Sequence, residues 1–408
     1  MLHIKNMKLL IFTLVLIAIT FSGCLEENIE PVEITFNNML DILNYAETNG
    51  DFINSPENPA LIDVDEVQAA LGSYLILDIR NQSDFAKGHI PGAINIIADQ
   101  IINLLDTMKT LDFQKVVIVS SSGQKAAYVT SLLRIIGYDN IYSLDYGMGY
   151  WNEIFADVWI SSKTNSKYFN TYYLLEWPNK EELTIKYDTP NPFLDDEAKT
   201  IDKKLKRRVE MLIKNFENNS VITIEKFDDM FNPIPYYFGY GEHTFIICYD
   251  HELKRGANPR EPLLYNAHNI YPTPVFNSAG GAILYYKTRK SRTVRPLGAY
   301  LYNGQKPEYD FSSDRLLFTL PADKQIIIYS YNGQRSAYIT AYLNLLGYDA
   351  KFVKFGAHSM MSKYFISWEI HGAVDKGNLD TVYYPSEFSK YDFYEENIRN
   401  YPYEVGTE

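Results

Sequence analysis

The chain has 408 residues, 46% of them apolar, enough for two domains of ordinary size with filled cores and too apolar for a disordered polypeptide. Its net charge of −13 excludes nucleic acid and anionic lipid as partners attracted by bulk electrostatics, so any anion site has to be local. The seven histidines and two cysteines show none of the close spacings a metal site requires, and neither a metal nor a cofactor is expected.

The N-terminus places Lys5 and Lys8 before thirteen mostly apolar residues, Leu9–Phe21, followed by Ser-Gly-Cys. Thirteen helical residues rise about 20 Å, short of the ~30 Å hydrocarbon core, so the run is too short for a membrane anchor. It resembles instead a lipoprotein signal peptide, residues 1–23, with Cys24 as the lipidated first residue of the mature chain. The expected location is extracytoplasmic, with membrane contact through the lipid. Residues 24–57 read as a polar tether and a short helix.

Residues 58–165 form the first expected domain. Asp63 is placed to cap an amphipathic helix, and LILDI and VVIVS supply apolar strands. Apolar strands alternating with helices predict a parallel sheet covered by helices on both faces. Residues 166–219 read as a linker in which Ile201, Leu205, Val209, Leu212 and Phe216 make one apolar helical stripe, opposite a solvated face carrying Lys203, Lys204, Lys206, Arg207 and Arg208. Residues 220–372 are a second domain with an insertion over 236–282, and 373–408 a tyrosine-rich tail that packs back on a domain or meets a partner. Cys248, in the apolar run TFIICYD, is expected to behave as a buried small hydrophobe.

The two halves contain one unit twice. VVIVSSSGQKAAYVTSLLRIIG at Val116–Gly137 returns 210 residues later as IIIYSYNGQRSAYITAYLNLLG, and Ser122–Asn140 against Asn332–Ala350 gives nine identities in nineteen positions without a gap. Each copy runs from a strand through a glycine turn into a helix. That arrangement points backbone N–H groups and the positive end of a helix dipole at one small volume, an anion cradle. The cradles comprise Ser120, Ser121, Ser122, Gly123, Gln124 and Lys125, and Ser330, Tyr331, Asn332, Gly333, Gln334 and Arg335. Arginine offers a planar fork where lysine is a point charge, so the second cradle is expected to hold an oxyanion better.

LILDIRNQSDFAKGHIPGAINI at Leu75–Ile96 and LDYGMGYW at Leu144–Trp151 resemble the signature segments of rhodanese domains. The second domain's counterpart is read at Tyr286–Arg289, YKTR, with Lys287 in the acid's place. The resemblance implies an α/β fold of two tandem rhodanese-like domains, each a parallel sheet flanked by helices. It also implies a sulfurtransferase chemistry carried by a cysteine at the head of the cradle. Those positions are Ser120 and Ser330, which lack a thiol's acidity and nucleophilicity, so no catalytic residue is expected. Asp78 and Arg80 are expected to tie strand to loop, and His89 to be structural. A pair of Ser330 with His358 would make acyl or phosphoryl transfer conceivable, but no acid is placed to orient the histidine. The expectation is a pseudoenzyme without turnover that binds sulfate, sulfite, thiosulfate or phosphate, or a protein partner. An active thiosulfate sulfurtransferase-type enzyme is the alternative, and a purely structural frame a third possibility.

Overall fold

The computed structural model describes residues 60–108, 113–163, 201–229, 244–248, 286–287, 293–294, 325–330, 332–356, 358–359 and 395–406. The signal segment, Cys24, the tether and Tyr331 lie outside them, as does most of the 236–282 insertion.

The first sheet is built from β1 (Leu61–Ile62), β2 (Leu75–Asp78), β3 (Ile94–Asn95), β4 (Val116–Val119) and β5 (Ile141–Leu144) in the order β1-β5-β4-β2-β3, every pair parallel. All four residues of β2 and of β4 are buried, as a strand with helices on both faces requires. Connecting them are α1 (Val64–Ala69), α2 (Gln82–Lys87), α3 (Ile101–Thr107), α4 (Gln124–Ile135), α5 (Met148–Trp151) and α6 (Asp157–Ile160). Asp63 caps α1 by accepting the Asp65 amide at 2.7 Å. Asn81 caps α2 in the same way, through the Asp84 amide at 2.8 Å.

After α7 (Ile201–Lys214) and the single turn α8 (Phe216–Asn219), a second sheet repeats the plan. It contains β6 (Val221–Ile222), β7 (Thr244–Cys248), β10 (Gln325–Tyr329) and β11 (Ala350–Val353), all parallel, in the order β6-β11-β10-β7. This is the order β1-β5-β4-β2 of the first. The short helix α9 (Ile224–Asp229) follows β6 as α1 follows β1, and α10 (Gln334–Leu345) follows β10 as α4 follows β4. Among the described residues, the strands β8 (Tyr286–Lys287) and β9 (Thr293–Val294) pair only with each other, antiparallel. The expected match of YKTR to the first domain's LDIR is therefore corrected. In register, β7 occupies the place of β2, because Cys248 stands opposite Tyr329 as Asp78 stands opposite Val119.

The helices α4 and α10 pack on each other between the two sheets. Each buries eleven of its twelve residues, so neither shows the one-sided stripe of a surface helix, and in each the exception is the basic residue, Lys125 or Arg335. One apolar core runs continuously from Leu77 and Ile118 through Leu132 and Ile339 to Ile327 and Phe352. A second, on the far side of the first sheet, gathers Val117, Trp151 and Trp159, with Phe355 of the second domain packed edge-on to Trp159 at 5.0 Å. The stripe of α7 faces the first core through Leu205, Val209 and Ile213. Its opposite face is not wholly solvated. Lys206 pairs with Asp106, and Arg208 donates to the carbonyls of Leu345 and Asn344 at 2.7 and 2.8 Å, satisfying the C-terminal turn of α10.

Candidate functional site: two facing cradles

Each cradle is shaped by a glycine that only its backbone freedom permits. Gly123 and Gly333 sit at φ 80°, in the left-handed region, as the caps of α4 and α10. A second pair, Gly147 and Gly356, presses onto the loops from the following strand, and a Cβ on either would overlap the carbonyl oxygen of Ser120 or Ser330. The residues just before them, Tyr146 and Phe355, are themselves held at positive φ, 54° and 61°. For aromatic side chains this is strained backbone, which persists because its surroundings fix it. The Tyr146 amide donates to Gln334 Oε1 at 2.9 Å, and its ring stacks on Tyr150 at 4.1 Å.

The two serines head their loops and are both buried. Ser120 Oγ accepts the Ala126 amide at 3.2 Å. Ser330 Oγ accepts the Ser336 amide at 3.1 Å and contacts the Ser336 hydroxyl at 3.2 Å. Each hydroxyl is thus held by the first turn of the helix it precedes. His358 does not form the conceivable pair with Ser330: its Nε2 meets the Trp159 carbonyl at 3.1 Å and its ring stands edge-on to Trp159. The remaining motif residues have structural surroundings. Arg80 donates to both carboxylate oxygens of Asp78 and, at 2.7 Å, to the Gly88 carbonyl. His89 stacks on Phe85 at 3.7 Å, with Nδ1 3.0 Å from the Phe85 carbonyl.

Sequence reading did not anticipate that the cradles face each other. Gln124 of the first donates to the Asn332 carbonyl of the second at 2.7 Å. Gln334 of the second donates to the Leu144 carbonyl of the first at 3.3 Å and accepts the Tyr146 amide. Across the same seam Ser131 donates to the Tyr338 carbonyl, and Ser143 bonds the Tyr338 hydroxyl. The one signal available was the glutamine after each glycine, identical in both copies.

The basic residues of the two loops meet different surroundings. Lys125 is half-buried with its ammonium over the Phe216 ring at 5.5 Å, and Ser121 beside it keeps surface contact. Arg335, likewise half-buried, comes near enough to Asp145 of the first domain to act on its carboxyl. Burial pushes the Asp145 carboxyl up to about 7, while Arg335 and the Tyr146 amide draw it down and Asp63 pushes it further up. A third feature comes from register alone. The backbone of Cys248 lies opposite Tyr329, immediately before Ser330, at the carboxyl end of the second sheet where ligands meet parallel strands.

The rhodanese-like domain family matches residues 63–154, the span from the α1 cap through α5. The chain is 35% identical over 82 residues to the thiosulfate sulfurtransferase GlpE of Pseudomonas fluorescens, covering 69% of that protein and 19% of this chain. To a tRNA sulfurtransferase of Thermoplasma acidophilum it is 33% identical over 92 residues, 20% of this chain and only 18% of that longer protein. Among solved structures, a rhodanese-related protein of Thermoplasma volcanium is 24% identical, with 21% of this chain and 84% of that one covered and a TM-score of 0.18. Through the first of its two parallel-sheet units, the chain belongs to the rhodanese-like domain family.

Proposed function

We propose that this is a membrane-anchored, extracytoplasmic protein of two tandem rhodanese-like domains that binds a small oxyanion without sulfurtransferase turnover. The observation that carries the reading is the pair of serines, Ser120 and Ser330, each buried at the head of a cradle with its hydroxyl accepting a helix amide. A thiol at such a place ionises readily because the helix dipole stabilises the thiolate, which attacks sulfane sulfur. A hydroxyl there needs a general base, and the histidine nearest in chain order, His358, is directed at Trp159.

For the anion, both cradles are candidates: Lys125 and Arg335 are each half-buried, Ser121 of the first keeps surface contact, and Arg335 of the second offers a planar fork. Sulfate, sulfite, thiosulfate and phosphate share the tetrahedral or pyramidal oxygen array that backbone donors at a helix N-terminus accept. The position of Cys248 beside the second cradle supports one other reading, a working sulfurtransferase with a relocated thiol.

One experiment separates the two. Incubation with thiosulfate, followed by intact-mass measurement, is expected to leave the wild-type chain unmodified, while Ser120→Cys gains one sulfur. A wild-type adduct that disappears in Cys248→Ala would replace the binding protein by the enzyme. Calorimetric titration with sulfate and thiosulfate tests the binding itself: Lys125→Ala is expected to weaken affinity about threefold to tenfold, and absence of any wild-type heat would remove the oxyanion from the proposal.

A further inference from the structure

The C-terminal residues return to the first domain across some 250 positions of chain. Arg399 and Tyr401 amides donate to the carbonyls of Tyr150 and Trp151 at 3.0 and 2.9 Å, and His89 and Glu404 exchange both backbone bonds at 2.9 Å as an isolated antiparallel bridge. The Gly406 amide closes the series on the Ala86 carbonyl at 2.9 Å. The receiving side is shaped for these contacts. Trp151 Nε1 donates to the Pro402 carbonyl at 2.9 Å and Asn152 Nδ2 to the Tyr401 carbonyl at 3.0 Å. The Glu153 amide donates to Asn400 Oδ1, and the Gly92 amide to Glu404 Oε2 at 3.1 Å. Asp65, at the start of α1, accepts both Arg399 Nε and the Tyr401 hydroxyl at 2.7 Å, and these two bonds, Arg399 first, hold its carboxyl below the ordinary range.

Two properties distinguish this from an ordinary terminal element. No residue of 395–406 is fully buried; Ile398 and Tyr401 are only half-buried against the first domain's second core, Tyr403 sets its ring edge-on to Phe155 at 5.5 Å, and the rest of the hold is hydrogen bonding with the Arg399–Asp65 ion pair. Of the groups that receive it, Trp151, Asn152 and His89 are buried beneath the segment, whereas Asp65 and Glu153 stay exposed. His89, Gly92 and Trp151 belong to the two signature segments of the domain. The segment turns at Asn400, held at φ 51°, and pairs in strand fashion at the His89–Glu404 bridge; main-chain bonding with side-chain contacts at intervals is the physics of peptide recognition by strand addition.

We propose that the first domain carries a peptide-docking groove, lined by Asp65, His89, Gly92, Trp151, Asn152 and Glu153, which the chain's own residues 398–406 occupy in cis as a releasable strap. The groove fits a segment that presents a base to Asp65, an aromatic ring to Trp151 and an acid to the Gly92 amide, as Arg399, Tyr401 and Glu404 do.

Hydrogen exchange on the intact chain tests release. The amides of Arg399, Tyr401, Glu404, Gly406 and His89 are expected to exchange together, about a hundredfold faster than those of Ile118 and Val119 in β4. Exchange of both sets at one rate would make the segment an integral part of the domain and overturn the proposal. A chain ending at Tyr394 gives the second test. It is expected to fold and to bind a fluorescent peptide of residues 395–406, with affinity reduced about tenfold by Asp65→Ala. The full-length chain should bind that peptide at least about tenfold more weakly, because its groove is filled. Failure of the shortened chain to fold, or a folded chain that ignores the peptide, would each overturn the strap.

Discussion

Replacing Asp145 by asparagine is expected to stabilise the protein at neutral pH and to remove part of its pH dependence. The carboxyl lies at the end of β5, where the second domain packs against the first, and burial raises it from an ordinary value near 3.8 to about 7 despite the nearby Arg335. Between those two values the folded chain keeps a proton that the unfolded chain has already lost. Stability therefore falls as pH rises through roughly 4 to 7, and above about 7 the full cost of burying the ionised group is present. Three units at about 1.4 kcal/mol each set an upper bound of about 4 kcal/mol. Asp145 keeps part of its surface in solvent, which places the expected gain nearer about 2 kcal/mol. Asparagine retains a side-chain carbonyl for the Tyr146 amide, bonded by Asp145 at 3.1 Å, and does not ionise. Urea denaturation of both chains from pH 4.5 to 8, followed by tryptophan fluorescence, reads the difference directly. The gap between variant and wild type should be small at pH 4.5 and widen to pH 8. A gap that stays constant, or a variant less stable at pH 8, would show that Arg335 compensates the buried charge in full.

Gly356→Ala should cost more than about 2 kcal/mol, because a left-handed backbone is combined with overlap of the new Cβ and the Ser330 carbonyl; thermal unfolding measures it, and a loss below about 0.5 kcal/mol would mean that the second cradle yields freely. Cys24→Ser should release the chain from the membrane fraction or block removal of residues 1–23, as read by fractionation and N-terminal sequencing, and unchanged attachment with an intact N-terminus would defeat the lipoprotein reading.

Much of the architecture was legible in residue order. The repeated strand, glycine turn and helix located β4 with α4 and β10 with α10, because a buried parallel strand needs continuous apolar residues and the turn needs glycine. The Asp63 cap and the stripe of α7 were legible for similarly local reasons. What misled was similarity of composition over short spans. YKTR resembled the LDIR strand, yet pairing with β10 belongs to Thr244–Cys248, whose five residues supply a longer apolar run for the sheet. The basic face of α7 looked solvated, since nothing in its own sequence announces that Arg208 will meet the open carbonyls of a helix more than a hundred positions away.

The sequence by itself determined the repeat and the serines, Ser120 and Ser330, that head both cradles, because each depends on which residue occupies a local frame. Only the tertiary structure decided which groups those frames confront. Gln124 and Gln334 cross between the cradles, Arg335 comes near enough to Asp145 to draw its carboxyl down, His358 is turned onto Trp159, and Arg399–Glu404 onto the first domain. Each of these pairs joins residues roughly 190 to 330 positions apart. No local periodicity encodes such a meeting: those between the cradles follow from burying the helices α4 and α10 against each other, and those of the C-terminal segment from its return to the first domain.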